Sequence, residues 1–364
     1  MRDKRRVVVL FGGRSGEHEV SLMSARSVLD ALKADRYEII PVGITKEGRW
    51  LTGPDVLEAF REGETDHLTP VTLLPDPSRP GLWVWKGEAL KPYAPVDVVF
   101  PVLHGTFGED GTLQGLLELA DVAYVGAGVV GSAVGMDKGI FKDVMRAHGI
   151  PTPAYVVLTR REVDADLDGV VARCEAVAPY PLFVKPANLG SSVGITKAHD
   201  RAELLAGLQL AARYDRRLIV EQGLDAREIE VSVLGNETPR ASVPGEIVPA
   251  DEFYSYEAKY EDPSSALVIP AALSASQMQR VQALALQVYQ AVDAAGMARV
   301  DFLLERDSGR FYINEINTLP GFTHISMYPK LWEASGLPYS DLLDRLLELA
   351  LERKAERERT HWER

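Results

Sequence analysis

Short apolar runs closed by glycine alternate with amphipathic stretches through the first third of the chain. Residues 7–11 (Val-Val-Val-Leu-Phe) are uniformly apolar and end at Gly12-Gly13, the pattern of a strand buried on both faces. Residues 21–34 carry Leu22, Ala25, Val28, Leu29 and Leu32 at helical spacing. Residues 37–44 and 97–103 read as further strands, and 112–120 as another helix. Such alternation predicts a parallel sheet covered by helices. The proline- and glycine-rich stretch 70–81 predicts a loop, leading into an edge hairpin around Trp83-Val84-Trp85.

A second unit starts after Met136. A helix over 137–147 stops at Gly149, and Pro151 and Pro153 precede a strand at 154–158. There follow a strand at 181–185, a Gly/Ser loop to Gly194 opening a further strand, a helix at 201–214 and a strand at 217–222. A third unit holds strands at 228–234, 298–304 and 311–317, a long helix at 274–294, and a terminal helix from about Tyr339. Residues 352–364 are dense in charges of both signs, which predicts a solvated helix end or frayed tail. The expected units are therefore 1–136, 137–224 and 225–364.

Composition narrows the functional classes. The 364 residues are 46% hydrophobic, enough for sizeable cores, so disorder over most of the length is excluded. The formal net charge of −13 argues against nucleic acid and anionic membranes as partners. Cys174 is the only cysteine, which excludes an internal disulfide or a thiolate zinc cluster and suggests a structural role. The apolar run after the basic start is too short for a signal peptide, and residues 122–136 are too short to span a bilayer. A cytoplasmic location is the expectation.

Arg299-Val-Asp301 and Asn314-Glu315-Ile-Asn317 carry the strongest chemical signal. Residues two apart in a strand share a face, so Arg299 pairs in direction with Asp301, and Glu315 with Asn317. If the two strands pair, three oxygen ligands converge beside a guanidinium, a hard-cation site of the magnesium type. Spacing alone equally fits the solvated face of an antiparallel sheet. Lys185 ends a strand before Gly190-Ser191-Ser192-Val-Gly194, a loop able to cradle phosphate, although the same residues suit a flexible hairpin. Glu17 and Glu19, between the first strand and helix, would repel a pyrophosphate and suit an amine; either could instead support the helix N-terminus. The glycine spacing there also argues against a nicotinamide dehydrogenase. His104 directly follows a strand, in a functional or a structural role. Tyr254, Tyr256, Lys259 and Tyr260 form a polar-aromatic loop, either a lid or plain surface.

Taken in order, these segments resemble the D-alanine–D-alanine ligases of the ATP-grasp superfamily. The matching stretches are 12–21 (Gly-Gly-Arg-Ser-Gly-Glu-His-Glu-Val-Ser), 103–105 (Leu-His-Gly), 108–115 (Gly-Glu-Asp-Gly-Thr-Leu-Gln-Gly), 136–138 (Met-Asp-Lys), 184–186 (Val-Lys-Pro), 190–194, 256–260 (Tyr-Glu-Ala-Lys-Tyr), 299–301, 314–323 and 325–329 (Ile-Ser-Met-Tyr-Pro). They cover the chain except for its tail and residues 50–95.

The resemblance implies an α/β fold, α+β in part: an ATP-grasp fold behind an N-terminal, Rossmann-like parallel-sheet domain. It implies ATP-dependent joining of two D-alanines through a D-alanyl phosphate, for peptidoglycan synthesis, in a cytoplasmic homodimer. Asp301, Glu315 and Asn317 would hold two Mg²⁺, with Mn²⁺ as a substitute. Lys138, Lys185 and Ser192 would contact ATP, with Glu221 reading adenine and Glu228 ribose. Glu17 would fix the first ammonium in a triad with Ser191 and Tyr260, and His104 would lie near the first carboxylate. Arg299 and the Gly321 amide would form the oxyanion site, while Lys259, Ser326 and Met327 would bind the second alanine. The Tyr254–Tyr260 segment would be a lid. Ligases using D-serine or D-lactate as acceptor, and a non-catalytic nucleotide-binding module, are the competing readings; the full metal-and-oxyanion set argues against the latter.

Overall fold

The computed structural model describes residues 4–190, 193–248, 266–323 and 325–361. Its strands form three sheets. The first runs Ala89–Ala94, Leu82–Lys86, Thr69–Leu73, Trp50–Thr52, Tyr37–Ile44, Arg5–Gly12, Val98–Val102, Ala123–Tyr124. The last four strands are parallel, as the alternation predicts. The other four make an antiparallel meander with the expected edge hairpin, so the sheet as a whole is mixed. Strand Arg5–Gly12 is covered on both faces: Val7 and Val9 enter one core, Val8 and Leu10 another.

A four-stranded antiparallel sheet follows, in the order Thr196–Ala198, Leu182–Pro186, Arg217–Gln222, Tyr155–Thr159. Helix Arg201–Tyr214 packs on it, its N-terminus capped where the Asp200 carboxylate accepts from the amides of Ala202 and Glu203. Cys174 is buried in this core. The third sheet is antiparallel and runs Ala266–Val268, Gly245–Val248, Ala226–Gly235, Gly296–Glu305, Phe311–Asn317, with Arg240–Ala241 beside Ala226–Gly235. Helix Ala275–Ala291 covers one face, and the other faces a cleft.

Some elements depart from the sequence expectations. The first helix spans His18–Ala31, three residues early. Helices Val56–Glu62, Val129–Met136, Arg160–Ala165, Leu167–Glu175 and Met327–Ala334 carried no clear periodicity. In Val129–Met136 the glycines that mask the pattern serve contact: a Cβ on Gly131 would meet the Asp293 carbonyl oxygen at 2.8 Å. Helix Tyr339–Arg357 returns to the first sheet, where Leu342, Leu343, Leu346 and Leu347 share a core with Val7, Val98 and Phe100. Its charged end is no frayed tail. Arg353 donates to the Gly126 carbonyl and lies over the Tyr124 ring, and Arg357 pairs with Glu118 and Asp121. No helix among the described residues is long and apolar enough to cross a membrane.

Candidate active site

The cleft face of the third sheet concentrates charge by register. Glu230, Asp301 and Glu315 stand directly opposite one another across three strands, and Arg299 stands opposite Asn317 two rungs along, on the same face. Counted by twos from the core residue Ile313, Glu315 would face inward. A bulge at Asn314 resets the count, sending Ile316 to the core and Glu315 and Asn317 to the cleft. Arg299 bonds both oxygens of Asp301, at 2.8 and 2.7 Å, and reaches Glu230 at 3.0 Å. Burial opposes its charge, but Asp301, Glu230 and Glu315 outweigh that and raise its pKa further. Asn317 donates to Asp301 at 2.9 Å.

Asp301, Glu315 and Asn317 thus meet on one face, and the solvated-surface alternative falls away because Asp301 is buried in the cleft. Among the described residues no three His, Cys, Asp or Glu side chains are placed to hold a metal on their own. Two carboxylates and an amide suit a cation such as magnesium, which keeps waters and takes the rest of its shell from phosphate oxygens.

Helix Lys138–Ala147 and the central sheet supply the cations. Asp137 caps the helix through the amides of Gly139 and Ile140. Lys138 donates to the Leu189 carbonyl at 2.9 Å and lies 3.4 Å from Glu315. Lys185 is paired with Glu221 at 3.0 Å across neighbouring strands. Lys142, wholly buried, reaches the same Glu221 oxygen at 3.3 Å. Burial pushes Glu221 up, yet the two lysines prevail and lower its pKa; burial pushes Lys142 down. Glu221 Oε1 has no hydrogen-bond partner among the described residues, so an acceptor is left over where a ligand amino group could dock.

The first sheet closes the cleft from the opposite side. Glu17 is buried between two glycines: a Cβ on Gly105 would come within 2.5 Å of its carboxylate, and one on Gly190 within 2.7 Å. Glu19 instead stands exposed and pairs with Lys46, which separates the two acids left equivalent by the sequence. Glu109 accepts from the Gly105 amide at 2.8 Å; burial, then Glu17, pushes its pKa up to about 8. His104 is buried with both ring nitrogens engaged, Nδ1 on the Leu319 carbonyl at 3.1 Å and Nε2 on Ser24 Oγ at 3.2 Å. Burial lowers its pKa despite Glu17. Ser326 bonds the amide and hydroxyl of Thr323, and Met327 packs on Ile247 and Leu331.

One cleft of about 1070 Å³ is lined by Glu17, His104, Lys138, Lys185, Glu221, Glu228, Arg299, Asp301, Glu315, Asn317, Gly321, Ser326 and Met327, every described residue to which the resemblance gives a site role. Ser191, Ser192, Tyr254, Tyr256, Lys259 and Tyr260 lie outside the described residues. Sequence reasoning missed Lys142, Glu230, Glu109 and Ser24. Lys138, Phe141, Lys142 and Met145 form one buried helical stripe, and a lysine in such a stripe was a usable signal. Glu228 and Glu230 likewise share a strand face opposite the core residues Ile229 and Val231.

Comparison with known proteins agrees across the chain. Family models described as D-ala D-ala ligase N-terminus and C-terminus match residues 6–127 and 144–348. A D-alanine--D-alanine ligase of Heliobacterium modesticaldum is 53% identical over 361 residues, covering 99% of this chain and 98% of its own. The solved D-alanine-D-alanine ligase of Coxiella burnetii superposes with a TM-score of 0.83 at 39% identity, over 98% of this chain and 96% of that one. A D-Ala:D-Ser ligase from Enterococcus faecalis gives 0.85 at 36% identity, over 96% and 100%.

Proposed function

Since the chain belongs to the D-alanine–D-alanine ligase family, we propose that this cleft joins two D-alanines at the expense of ATP, supplying the dipeptide for peptidoglycan. The observation that carries the reading is the convergence of two lysines, the Arg299-centred carboxylate row and the buried Glu17 on one cleft.

Phosphoryl transfer is mostly positioning and charge neutralisation. Lys138 and Lys185 hold the nucleotide phosphates, Glu221 reads the adenine and Glu228 the ribose. Asp301, Glu315 and Asn317 would hold magnesium, which would supply neutralisation of the phosphate charge. Glu17 takes the ammonium of the first D-alanine, whose carboxylate oxygen attacks the γ-phosphorus and expels ADP. The second D-alanine's amine then attacks the acyl carbon, forming the C–N bond and a tetrahedral intermediate; its collapse breaks the C–O bond and releases phosphate and the amine proton. The oxyanion of the tetrahedral intermediate rests against Arg299 and the Gly321 amide. Ser326, Met327 and Lys259 receive the second alanine, Ser191, Ser192 and Tyr260 complete the ligand contacts, and the Tyr254–Tyr260 segment excludes water from the acyl phosphate. The units 1–136, 137–224 and 225–364, a cytoplasmic setting and a homodimer belong to the same proposal.

Purified protein with ATP and Mg²⁺ should release phosphate on addition of D-alanine and not L-alanine. Release indifferent to D-alanine overturns the reading. D-serine as second substrate is the arm suggested by the Enterococcus likeness, and preferential formation of D-alanyl-D-serine would replace the acceptor assigned here.

A further inference from the structure

Between Leu319 and Phe322 two hydrogen bonds, to His104 and to Ser24, bracket a single peptide unit. On one side His104 Nδ1 meets the Leu319 carbonyl at 3.1 Å. On the other, the Phe322 amide donates to Ser24 Oγ at 3.4 Å. Ser24 and His104 are joined to each other at 3.2 Å, and Ser24 is fully buried on helix His18–Ala31. The Phe322 carbonyl is also held, by the Tyr339 hydroxyl at 2.7 Å.

These bonds fix proton positions. A carbonyl only accepts, so Nδ1 of His104 carries a hydrogen, and in the neutral ring Nε2 is then the lone-pair nitrogen. The Ser24 hydroxyl therefore donates to Nε2 while its oxygen accepts from Phe322, using both capacities of one hydroxyl. Burial of His104 favours the same neutral form. What remains between the two clamps is the Pro320–Gly321 peptide; Gly321 lines the cleft, and its amide has no hydrogen-bond partner among the described residues.

We infer that Ser24 is a positioning residue: with His104 it locks the peptides on either side of Gly321, so that the Gly321 amide is held ready for the oxyanion of the tetrahedral intermediate. This rests on the oxyanion role proposed for Arg299 and Gly321. A donor stabilises developing charge only if it is already aimed, and a loop free to turn would spend that gain on ordering itself. The clamp also explains why a serine lies under the cleft without itself lining it, and why His104 has no ring nitrogen free for a substrate carboxylate in this arrangement.

The test is Ser24→Ala in the full-length protein, with Arg299→Met alongside. The readouts are kcat, the KM for ATP, and affinity for a phosphinate analogue of the dipeptide whose tetrahedral phosphorus replaces the reacting carbon. Ser24→Ala should lower kcat about 10- to 100-fold and weaken phosphinate binding in proportion, because misaiming a donor loses part of the roughly 10²- to 10³-fold that such a donor supplies. The KM for ATP should stay within about twofold, since the nucleotide lysines lie on other elements. Full kcat and full phosphinate affinity in Ser24→Ala, with phosphinate binding lost in Arg299→Met, overturns the clamp alone. Phosphinate affinity intact in Arg299→Met overturns the oxyanion reading on which it rests. Equal loss of ATP and phosphinate binding in Ser24→Ala reduces Ser24 to a packing role. If Ser24→Ala does not fold, the same comparisons apply to Ser24→Cys, which fills similar space with a weaker hydrogen-bonding group.

Discussion

Lys142 has no exposed side-chain surface and sits 3.3 Å from Glu221, sharing one carboxylate oxygen with Lys185. Two cations on one acid keep Glu221 ionised where burial alone would protonate it. Lys142→Met keeps the stem's volume and removes one cation. The KM for ATP should rise about tenfold, equivalent to ~1.4 kcal/mol, and because loss of Lys142 removes one of the charges that lower the Glu221 pKa, the defect should deepen as pH falls. ATP titrations between pH 6 and 8 check this, and an unchanged KM throughout counts against Lys142 as the support of Glu221.

The metal requirement should follow Glu315. Glu315→Gln preserves shape, stays opposite Asp301 and loses one charge from the oxygen set. The Mg²⁺ concentration for half-maximal rate should rise by about tenfold or more, with activity partly recovered at high Mg²⁺. A variant with the parental Mg²⁺ curve would remove Glu315 from that set.

Glu109 makes stability depend on pH. With its pKa pushed from the ordinary 4.5 to about 8, the folded protein keeps a proton that the unfolded chain has already released. Its contribution is complete below about pH 4.5 and is lost as pH rises through about 8. Glu109→Gln, which cannot ionise, should flatten the decline in unfolding free energy between pH 5 and 9 in denaturant titrations. Parallel pH profiles for the two proteins would refute it.

Asp344 on the terminal helix is buried and accepts from Tyr37 at 2.8 Å and Lys33 at 2.8 Å, with Arg36 also paired to it. Asp344→Ala leaves the buried Tyr37 hydroxyl without an acceptor, a loss of about 1–3 kcal/mol. Thermal unfolding should shift down as one transition while the KM for ATP holds. No shift would show this contact to be dispensable.

The cleft was legible wherever local spacing decides chemistry. Period two set Arg299 with Asp301 and Glu315 with Asn317, and the strand end placed Lys185. Lys142 and Glu230 were harder, because their importance comes from neighbours on other elements, Glu221 in one case and Arg299 in the other. His104 could be noticed but not interpreted, since its partners Ser24 and Leu319 lie 80 and 215 residues away in sequence. Of the antiparallel half of the first sheet only the hairpin around residues 83–85 was legible: strand Thr69–Leu73 overlaps the stretch 70–81 expected to be a loop, because its proline and short length mask the pattern, and helix Val56–Glu62 interrupts the strands.

The terminal helix that completes the core of the first sheet ties the start of the chain to its end. In a protein made from its N-terminus the residues of strands Arg5–Gly12 and Val98–Val102 emerge long before Leu342, Leu343, Leu346 and Leu347, which share their core. The core on that face of the first sheet therefore cannot close until the helix that completes it has been made, however early the strands themselves appear.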